Sequence, residues 1–400
     1  MRVLQLCHRV PFPPSDGGSI AMHQVTVGLL EEGIQVKVLA VAPEHQMPDL
    51  SRLPADYLKA TEFEAIPINT KIRLWPAFQN LFTSRSYNVE RFRSRAMEQK
   101  LKEVLQRQTF DIIQLEGLYL TPFLPVIRQF SKAPVVYRAH NIEHFIWRRM
   151  AAACRTPLRR QYLQLLARRL EAYEKRVIHQ VDGLAAISPV DEQYFLSLGF
   201  KGPATVIPVG MPDLEVPDPL PEPEAASVFH LGSMDWRPNQ EGIKWFLQQV
   251  WPKVVSRMPG LKFYLAGKRM PPSFHRFASE SVRVIGEVPD AIAFALSKHV
   301  MVVPLLSGGG MRVKIIEGMA AARPIVSTRI GAEGIPCRHG EHLFLADGPE
   351  QMAQWILHCF ENPESATQVA RQAREFAIGH FRTEHIIKKL IKFYRDIGTG

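Results

Sequence analysis

The chain has 400 residues, 46% of them hydrophobic and 22% charged, and is long enough for two domains with separate cores. No apolar run approaches the roughly 18 residues of a membrane-spanning helix, and the four scattered cysteines, without a Cys-x-x-Cys pair, argue against a zinc ribbon or a disulfide framework. The net charge of +10 favours an anionic partner such as a phospholipid surface, a nucleic acid or a phosphate-bearing substrate.

Short apolar segments alternate with longer helical patterns along the whole chain. The segments that predict strands are RVLQLC, QVKVLAVA, FDIIQLEG, PVVYRAH and DGLAAIS in the first half, and SVFHLG, LKFYLAG, VRVIGEV, VMVVPLL and PIVSTRI in the second. Many are apolar on both faces, which is typical of parallel strands covered by helices on two sides. This alternation predicts an α/β protein built from two doubly wound, Rossmann-like domains.

A glycine turn follows the first predicted strand. The chain begins with a short apolar run and then prolines, without the apolar core of a signal peptide, so we expect a cytoplasmic protein. Gly17 and Gly18 then open a helix at the carboxyl end of that strand, where doubly wound sheets bind ligands. The Gly-x-Gly-x-x-Gly fingerprint is absent, which argues against a dinucleotide-dependent oxidoreductase. Most Gly-Gly turns are structural, so this turn is only a supporting feature.

Polar residues follow two predicted strands of the first half. Glu116 ends FDIIQLE, and Arg138, His140, Asn141 and Glu143 lie at or just past the end of PVVYRAH. Because the carboxyl ends of neighbouring parallel strands meet at one edge of a sheet, we expect these side chains to lie together. A buried histidine that bonds to backbone explains His140 equally well, and both interpretations remain open at this point.

A long helical pattern covers roughly residues 141–178. The part from Arg148 to Arg176 has a local net charge of +7. Leu158, Leu166 and Leu170 are among the apolar residues that recur there at helical spacing. The simplest interpretation is a buried apolar stripe beside a solvated basic face. The alternative is that the basic face rests on anionic lipid headgroups.

Prolines and acidic residues crowd the middle of the chain and exclude a central strand or a helix there. We therefore predict an N-terminal domain at 1–206, a linker at 207–226 and a C-terminal domain at 227–380. The remaining pattern at 381–400 is amphipathic and predicts a C-terminal helix.

Basic residues follow two predicted strands of the second half. Gly232 ends SVFHLG and is followed by Arg237 at a helix start, and Lys268 follows LKFYLAG. Both turns lie at the carboxyl ends of strands, where a phosphate could bind. Exposed basic residues on loops are common, so neither turn is specific by itself.

Three consecutive glycines at 308–310 follow VMVVPLL, and Arg312, Lys314 and Glu317 come directly after them. Glycines allow backbone N–H groups to approach a ligand, and a helix N-terminus with added basic charge suits a phosphate. Glu317 accepts hydrogen bonds only, as the hydroxyls of a ribose require. An ion pair between Lys314 and Glu317 would explain those two residues but not the glycines, so we favour the ligand interpretation.

These motifs, in this order, resemble the retaining glycosyltransferases of the GT-B fold, specifically glycosyltransferase family 4. PPSDGGSIAMHQVTVGLLEEGIQVKVL resembles the family's N-terminal glycine loop, HNIEH its histidine motif and GGGMRVKIIEGMAAARPIV its donor motif. The resemblance covers nearly the whole chain. It implies two Rossmann-like domains that face a deep cleft, with the C-terminal helix packed back on the N-terminal domain.

The resemblance also assigns roles to residues. It implies site roles for Gly17, Gly18 and His140 and a ribose-binding role for Glu317. Together with the strand ends and glycine turns above, it leads us to expect catalytic roles for His140, Arg312 and Lys314, and acceptor-side roles for Glu116, Arg138, Asn141 and Glu143. The expected donor-binding residues are Gly17, Gly18, Gly232, Arg237, Lys268, Gly308, Gly309, Gly310, Met311 and Glu317. Two positions depart from the family pattern. Gly309 stands where a glutamate usually contacts the hexose, and Ser233 stands where an arginine is common.

The implied reaction moves a sugar from a UDP- or GDP-sugar to an acceptor hydroxyl with retention, without a required metal or cofactor. We expect the acceptor to be a lipid-linked saccharide in lipopolysaccharide, capsule or exopolysaccharide synthesis, and the enzyme to be cytoplasmic and peripheral on the membrane. A sugar-nucleotide 2-epimerase of the same fold remains an alternative because of Gly309. A basic module for nucleic acid or another anion also remains, but no nucleic-acid motif supports it, so we expect no nucleic-acid partner.

Overall fold

The computed structural model describes residues 1–14, 16–43, 47–70, 75, 80, 82–83, 85–154, 156–211, 217 and 220–398. It divides the chain into two compact units. The first comprises Met1–Gly210 together with Thr383–Gly400, and the second comprises Met211–Arg382. Each unit contains a parallel sheet with helices around it, which confirms the predicted fold class.

The first unit is built on a seven-stranded parallel sheet with the order β3-β2-β1-β4-β5-β6-β7. Its strands are β1 (Arg2–Cys7), β2 (Gln35–Pro43), β3 (Glu64–Ile68), β4 (Ile112–Glu116), β5 (Val135–Ala139), β6 (Gly183–Ala186) and β7 (Ala204–Val206). Alternate residues of β1 enter different cores: Leu4 and Leu6 lie in one, Val3 and Cys7 in the other. The central strands are therefore apolar on both faces because both faces are covered.

Helices cover this first sheet. They are α1 (Gly17–Glu31), α2 (Ala55–Thr61), α3 (Tyr87–Glu90), α4 (Arg95–Arg107), α5 (Leu124–Phe130), α6 (Glu143–Ala153), α7 (Pro157–Val177) and α8 (Pro189–Ser197). The single helix predicted at 141–178 is wrong, because it is two helices, α6 and α7. Thr156 is extended and precedes Pro157, and the residue before a proline avoids helical backbone. Leu158, which the prediction placed in the buried stripe, is 80% exposed, whereas Leu166 and Leu170 are buried.

The C-terminal helix (Thr383–Gly398) belongs to the first unit, as the fold-class prediction expected. It packs along α1, where Gly28 leaves room for Ile387: a Cβ atom at Gly28 would overlap that side chain. Leu390 and Tyr394 are almost completely buried on the same side of the helix. The helix thus completes one of the two cores of the first unit.

The second unit is built on a six-stranded parallel sheet with the order β10-β9-β8-β11-β12-β13. Its strands are β8 (Glu224–Leu231), β9 (Lys262–Ala266), β10 (Val282–Gly286), β11 (Lys298–Val303), β12 (Ile325–Ser327) and β13 (Phe344–Leu345). Its helices are α9 (Arg237–Trp245), α10 (Trp251–Arg257), α11 (Ala291–Leu296), α12 (Val313–Ala320), α13 (Pro349–Glu361) and α14 (Pro363–Phe381), and a π-helical segment, Phe246–Val250, joins α9 to α10. Two buried apolar clusters flank this sheet as well.

The predicted linker at 207–226 coincides only in part with described residues. The units divide between Gly210 and Met211. Residues 212–216, 218 and 219 lie outside the described part of the chain. Strand β8 begins at Glu224, before the predicted domain start at 227. Within the described ranges, every helix is too short or too polar to cross a bilayer.

Candidate functional site

The first cluster of predicted site residues lies where β4 and β5 end in the first unit. Glu116 and Arg138 are register partners on these two strands, so their side chains leave the same edge of the sheet. Glu116 is completely buried, and its carboxylate accepts hydrogen bonds from Arg138 Nη1 at 3.1 Å and from Gln5 Nε2 at 2.8 Å. The prediction that Glu116 and Arg138 lie together is therefore confirmed by geometry.

Glu116 stays ionised in this buried position. Burial by itself would raise its pKa, but the Arg138 charge and the hydrogen bonds from His140 and Gln5 outweigh burial and lower the pKa to about 2. His140 Nε2 lies 2.6 Å from Glu116 Oε2. The best partner for an ionised carboxylate is a ring N–H, so His140 carries its proton on Nε2 and presents Nδ1 as an acceptor.

A second histidine, which the sequence interpretation missed, lies beside this pair. The ring of His8, from the end of β1, meets the ring of His140 edge-on with 5.7 Å between centroids. His8 Nδ1 donates to the backbone carbonyl of Glu116 at 2.6 Å. Burial lowers the pKa of His8 to about 3, so its ring is neutral. The position of His8 just past a strand, the same signal that identified His140, would have found it.

Asn141 and Glu143 lie at the start of α6, next to His140 in the chain. The Glu143 carboxylate accepts from the Tyr119 hydroxyl at 2.8 Å and from Asn141 Nδ2 at 3.4 Å. Burial raises the pKa of Glu143 to about 7. Glu174 of α7, which is fully buried, accepts the Glu143 backbone N–H at 3.1 Å. Because α6 lacks a cap of its own, Glu174 fixes where the helix begins.

Gly17 and Gly18 form the first turn of α1, as predicted. Asp16 caps this helix, and its Oδ1 accepts the Gly18 backbone N–H at 2.9 Å. Arg9 holds the other carboxylate oxygen of Asp16 at 2.8 Å. The Gly18 amide, which could serve a phosphate, is thus occupied by a carboxylate of the protein itself.

In the second unit, the backbone after β8 and the backbone after β9 approach each other very closely. Gly267 has a φ of 153°, and a Cβ atom there would overlap the carbonyl of Gly232. A Cβ atom at Gly232 would in turn overlap the ammonium group of Lys314. Glycine is therefore required at Gly267, and Lys314 occupies the space beside Gly232, where a side chain would displace its ammonium group.

Lys314, from the first turn of α12, reaches back to the end of β8. Its Nζ lies 3.1 Å from Asn239 Oδ1 and 3.3 Å from His230 Nε2. Burial and the nearby Arg312 charge lower the pKa of Lys314 to about 7. His230 and Asn239 accept two of the three ammonium donors, and Glu317, one turn along α12, partly offsets the charge without a close ion pair to Lys314 among the described residues. The arrangement can bind an anion.

The glycine loop at 308–310 needs glycine for conformational reasons. Gly308 has a φ of 119° and Gly310 a φ of 78°, which side chains other than glycine seldom adopt. Arg312 Nη1 donates to the carbonyls of Gly309 and Gly310, and the guanidinium lies 5.1 Å above the Trp236 ring. Through these hydrogen bonds, Arg312 stabilises the backbone conformation of the glycine loop.

The other donor-side candidates fall into two groups. Glu317 lies on α12 one turn after Lys314, and burial raises its pKa. Met311 packs into an apolar core and is 9% exposed. Arg237 is 79% exposed and pairs with Glu241 at 3.0 Å, and Lys268 is exposed after β9. Lys314 thus contacts Asn239 and His230, and Glu317 follows it one turn along α12, while Arg237 and Lys268 lie on exposed surface.

The described residues contain no group of three His, Cys, Asp or Glu side chains that is arranged to hold a metal ion.

Family models match both halves of the chain. Residues 16–210 match the glycosyl transferase 4-like domain, and residues 225–362 match the glycosyl transferases group 1. A curated relative, an uncharacterized 44.6 kDa protein in the cps region of Klebsiella pneumoniae, is 23% identical over 175 residues. That match covers 42% of this chain and 45% of the relative, less than half its length.

Solved structures are similar over nearly the whole chain. Sucrose-phosphate synthase from Thermosynechococcus elongatus has a TM-score of 0.70 and 16% identity, with 99% of each chain covered. HepE from Anabaena, in complex with UDP-glucose, has a TM-score of 0.62 and 14% identity, with 99% of this chain and 100% of that chain covered. At these identities the likeness establishes the fold.

Proposed function

The chain belongs to the glycosyltransferases of the GT-B fold, since it carries a glycosyl transferase 4-like domain and a group 1 domain, and we propose that it transfers a sugar from a nucleoside-diphosphate sugar to an acceptor hydroxyl with retention. The observation that carries the proposal is the Lys314 cluster. A partly desolvated cation faces two closely packed glycines beside a glycine loop, at the start of a helix. A diphosphate has the charge and oxygen acceptors that this group of donors fits.

The departing diphosphate is the group that most needs stabilisation in such a transfer. Lys314 supplies positive charge, and the glycine loop supplies backbone N–H groups close to it. Ser233 stands where the family usually has an arginine, and Lys314 reaches the same place from α12, 3.1 Å from Asn239. We therefore assign Lys314 to the diphosphate and Glu317, one turn further on, to the ribose hydroxyls. Arg312 holds the loop in shape and adds charge.

His140 and its neighbours are assigned to the sugar and the acceptor. With Nε2–H on Glu116, the ring offers Nδ1 to a sugar hydroxyl. Glu143 and Asn141, next to it on α6, add two polar groups that suit a saccharide acceptor. In the same-face mechanism expected for a retaining enzyme, the leaving phosphate takes the proton of the attacking hydroxyl.

Thermal stabilisation by UDP, GDP, UDP-glucose and GDP-mannose tests the donor assignment, because a ligand that binds the native state raises the midpoint. We expect one nucleotide pair to stabilise the protein, and Glu317→Ala and Lys314→Gln each to reduce the shift. Lys253→Gln, a change to a half-exposed lysine of α10 paired with Glu350, is the matched control. Unchanged donor binding and transfer in Glu317→Ala would contradict the assignment.

The stereochemistry and the reaction class are tested on the product. With the stabilising donor and a mixture of lipid-linked saccharides, NMR of the new linkage should show the anomeric configuration of the donor. An inverted linkage would contradict retention. Epimerised sugar nucleotide formed without any acceptor would instead support the 2-epimerase alternative that Gly309 leaves open.

The acceptor side of the proposal is a lipid-linked saccharide in cell-surface polysaccharide synthesis. The relative from a cps region supports this choice. The start of α7 also supports a membrane visit, because the exposed Arg159, Arg160 and Arg168 accompany Leu158, which is 80% exposed. A basic helix face with an exposed apolar residue is typical of contact with anionic headgroups.

Co-sedimentation with vesicles tests the membrane visit. Wild-type protein should bind phosphatidylglycerol vesicles more than phosphatidylcholine vesicles, and Arg159→Glu with Arg160→Glu should weaken the binding. Lys132→Glu with Lys201→Glu makes the same charge change on other exposed parts of the first unit and serves as the control. Equal sedimentation with both kinds of vesicle would count against peripheral association.

A further inference from the structure

A buried hydrogen-bond network lies behind His140 and extends to the C-terminal helix. The Oε1 atom of Glu116 accepts from Gln5 Nε2 at 2.8 Å and from Gln114 Nε2 at 2.5 Å, while Oε2 accepts from Arg138 and His140. The carboxylate therefore has four side-chain donors and no exposed surface. These four donors therefore fix the position of the Glu116 carboxylate.

The side-chain amide of Gln114 links Glu116 to the C-terminal helix. Its NH2 group donates to Glu116, and its carbonyl oxygen accepts from the hydroxyl of Tyr394 on the C-terminal helix. An amide can rotate by half a turn and exchange donor for acceptor. The Tyr394 hydroxyl donates to the carbonyl oxygen that Gln114 turns away from Glu116, and it thereby stabilises the orientation in which the NH2 group faces the carboxylate. Tyr394 is 1% exposed, so water cannot take over this role.

The amide orientation has a consequence for His140. If Gln114 presented its carbonyl oxygen to Glu116, two acceptors would face each other and the carboxylate would move or take up a proton. Either change would remove the acceptor that holds the proton on His140 Nε2. Other charged or titratable groups near His140 are His8 and Arg9, which follow β1, and Arg138 on β5.

The geometry points to Tyr394 as a positioning residue that acts through Gln114 and Glu116 to fix the tautomer and direction of His140. The inference rests on the proposed function, in which His140 contacts the reacting sugars. It extends the machinery to the C-terminal helix, about 250 residues further along the chain than His140.

Ring NMR of 15N-histidine-labelled protein tests the network without any ligand. The wild-type spectrum should show the Nε2–H tautomer for His140, assigned by its absence in His140→Ala. Tyr394→Phe should shift that signal toward a mixture of tautomers. Tyr173→Phe removes a hydroxyl bonded to Thr121 Oγ1 in the same unit and should leave it unchanged. An unchanged His140 signal in folded Tyr394→Phe would overturn the inference.

Steady-state kinetics test whether the orientation of His140 affects transfer. They use the donor that thermal stabilisation identifies. Tyr394→Phe should lower kcat about tenfold with little change in the donor KM, as loss of a supporting hydrogen bond typically does. In the His140→Ala background the same substitution should have no further effect. A further loss there would indicate a merely structural role.

Two outcomes separate the failure of this inference from failure of the proposed function. If His140→Ala leaves transfer unchanged, the assignment of His140 fails, while the NMR result still decides the network. If His140→Ala abolishes transfer but Tyr394→Phe behaves like Tyr173→Phe, only the positioning role fails. Should Tyr394→Phe fold poorly, Gln114→Met breaks the same link from the β4 side and should give the same tautomer shift.

Discussion

Lys314 has a pKa of about 7 in the free protein, so roughly half of its population is charged near neutrality. A bound diphosphate favours the charged form and raises that pKa. Between the free and the bound values, binding must therefore take up a proton, and affinity must fall as the pH rises above about 7.

Calorimetry of UDP binding at pH 8, in Tris and in HEPES, measures this proton uptake. The β-phosphate is already fully ionised at this pH, since phosphate groups titrate near pH 6. We expect net uptake in the wild-type protein and none in Lys314→Arg, which binds with a permanent charge. Proton release, or identical uptake in both proteins, would contradict the assigned role.

Glu143 has a folded-state pKa of about 7, well above its ordinary 4.5, because burial disfavours the carboxylate. An acid with a raised pKa costs stability once it ionises, so this contribution falls as the pH rises from about 4.5 to about 7 and is constant above that. Glu143→Gln removes the titration. The variant should gain on the order of 3 kcal/mol over the wild-type protein at pH 8 and little at pH 4.5.

Paired thermal unfolding curves at these two pH values measure the difference between variant and wild type, in which all other titrating groups cancel. A difference that does not change with pH would show that Glu143 ionises normally.

The sequence identified most polar residues of both clusters because they lie at or just past the carboxyl ends of strands, as Glu116, Arg138 and His140 do. It could not identify their partners. His230 and Gln114 lie inside apolar strand patterns, and Tyr394 lies on an amphipathic helix, so nothing local marks them as part of a site. The contact of Lys314 with Asn239 also depends on a fold that brings α12 back to the end of β8.

At the scale of elements, alternation and glycine turns predicted the central strands, and local exceptions caused the misses. Strand β3 was overlooked because it is a short edge strand that contains Pro67, which a central strand would not tolerate. The break between α6 and α7 follows from Pro157, a signal that the apolar spacing concealed. The apolar periodicity of a sequence identifies the buried faces of helices and strands, whereas helix ends and edge strands depend on single residues such as Pro157 and Pro67.

The contact between α1 and the C-terminal helix depends on Gly28. Gly28→Ala should destabilise the protein by about 1–3 kcal/mol, because the new methyl group overlaps Ile387 in a packed interface. Ile387→Ala opens that space, so the double variant should lose less stability than the sum of the single changes. Chemical denaturation measures the coupling.

Gly379→Ala is the matched control, since Gly379 also lies inside a helix but has open space around it. It should be neutral or slightly stabilising through helix propensity. Strictly additive effects of Gly28→Ala and Ile387→Ala would show that the two helices do not meet there in solution.

At the scale of the whole molecule, the fold class was predictable because both halves repeat the alternation of strands and helices, and the structure confirms it. The first unit is discontinuous in sequence, whereas the second is a single segment. Fragments should therefore behave differently. Residues 211–382 should fold alone, and residues 1–210 should not reach a native core, since the side chains that fill it include Ile386, Leu390 and Tyr394.

Near-UV circular dichroism and binding of a hydrophobic dye to each fragment measure this difference. Adding a peptide of residues 383–398 to the 1–210 fragment should restore a native spectrum and release the dye. Cooperative unfolding of 1–210 without the peptide would contradict the prediction.

The discontinuous first unit also sets the order of events during synthesis. When residue 210 has been added to the growing chain, the apolar groove beside α1 has no partner, and residues 211–382 must still be made. At typical elongation rates this takes roughly 10 to 35 s, a long time for an open apolar surface. The nascent chain should consequently be a client of ribosome-associated chaperones until its final helix arrives, and a chain interrupted before residue 383 should be a substrate for proteases.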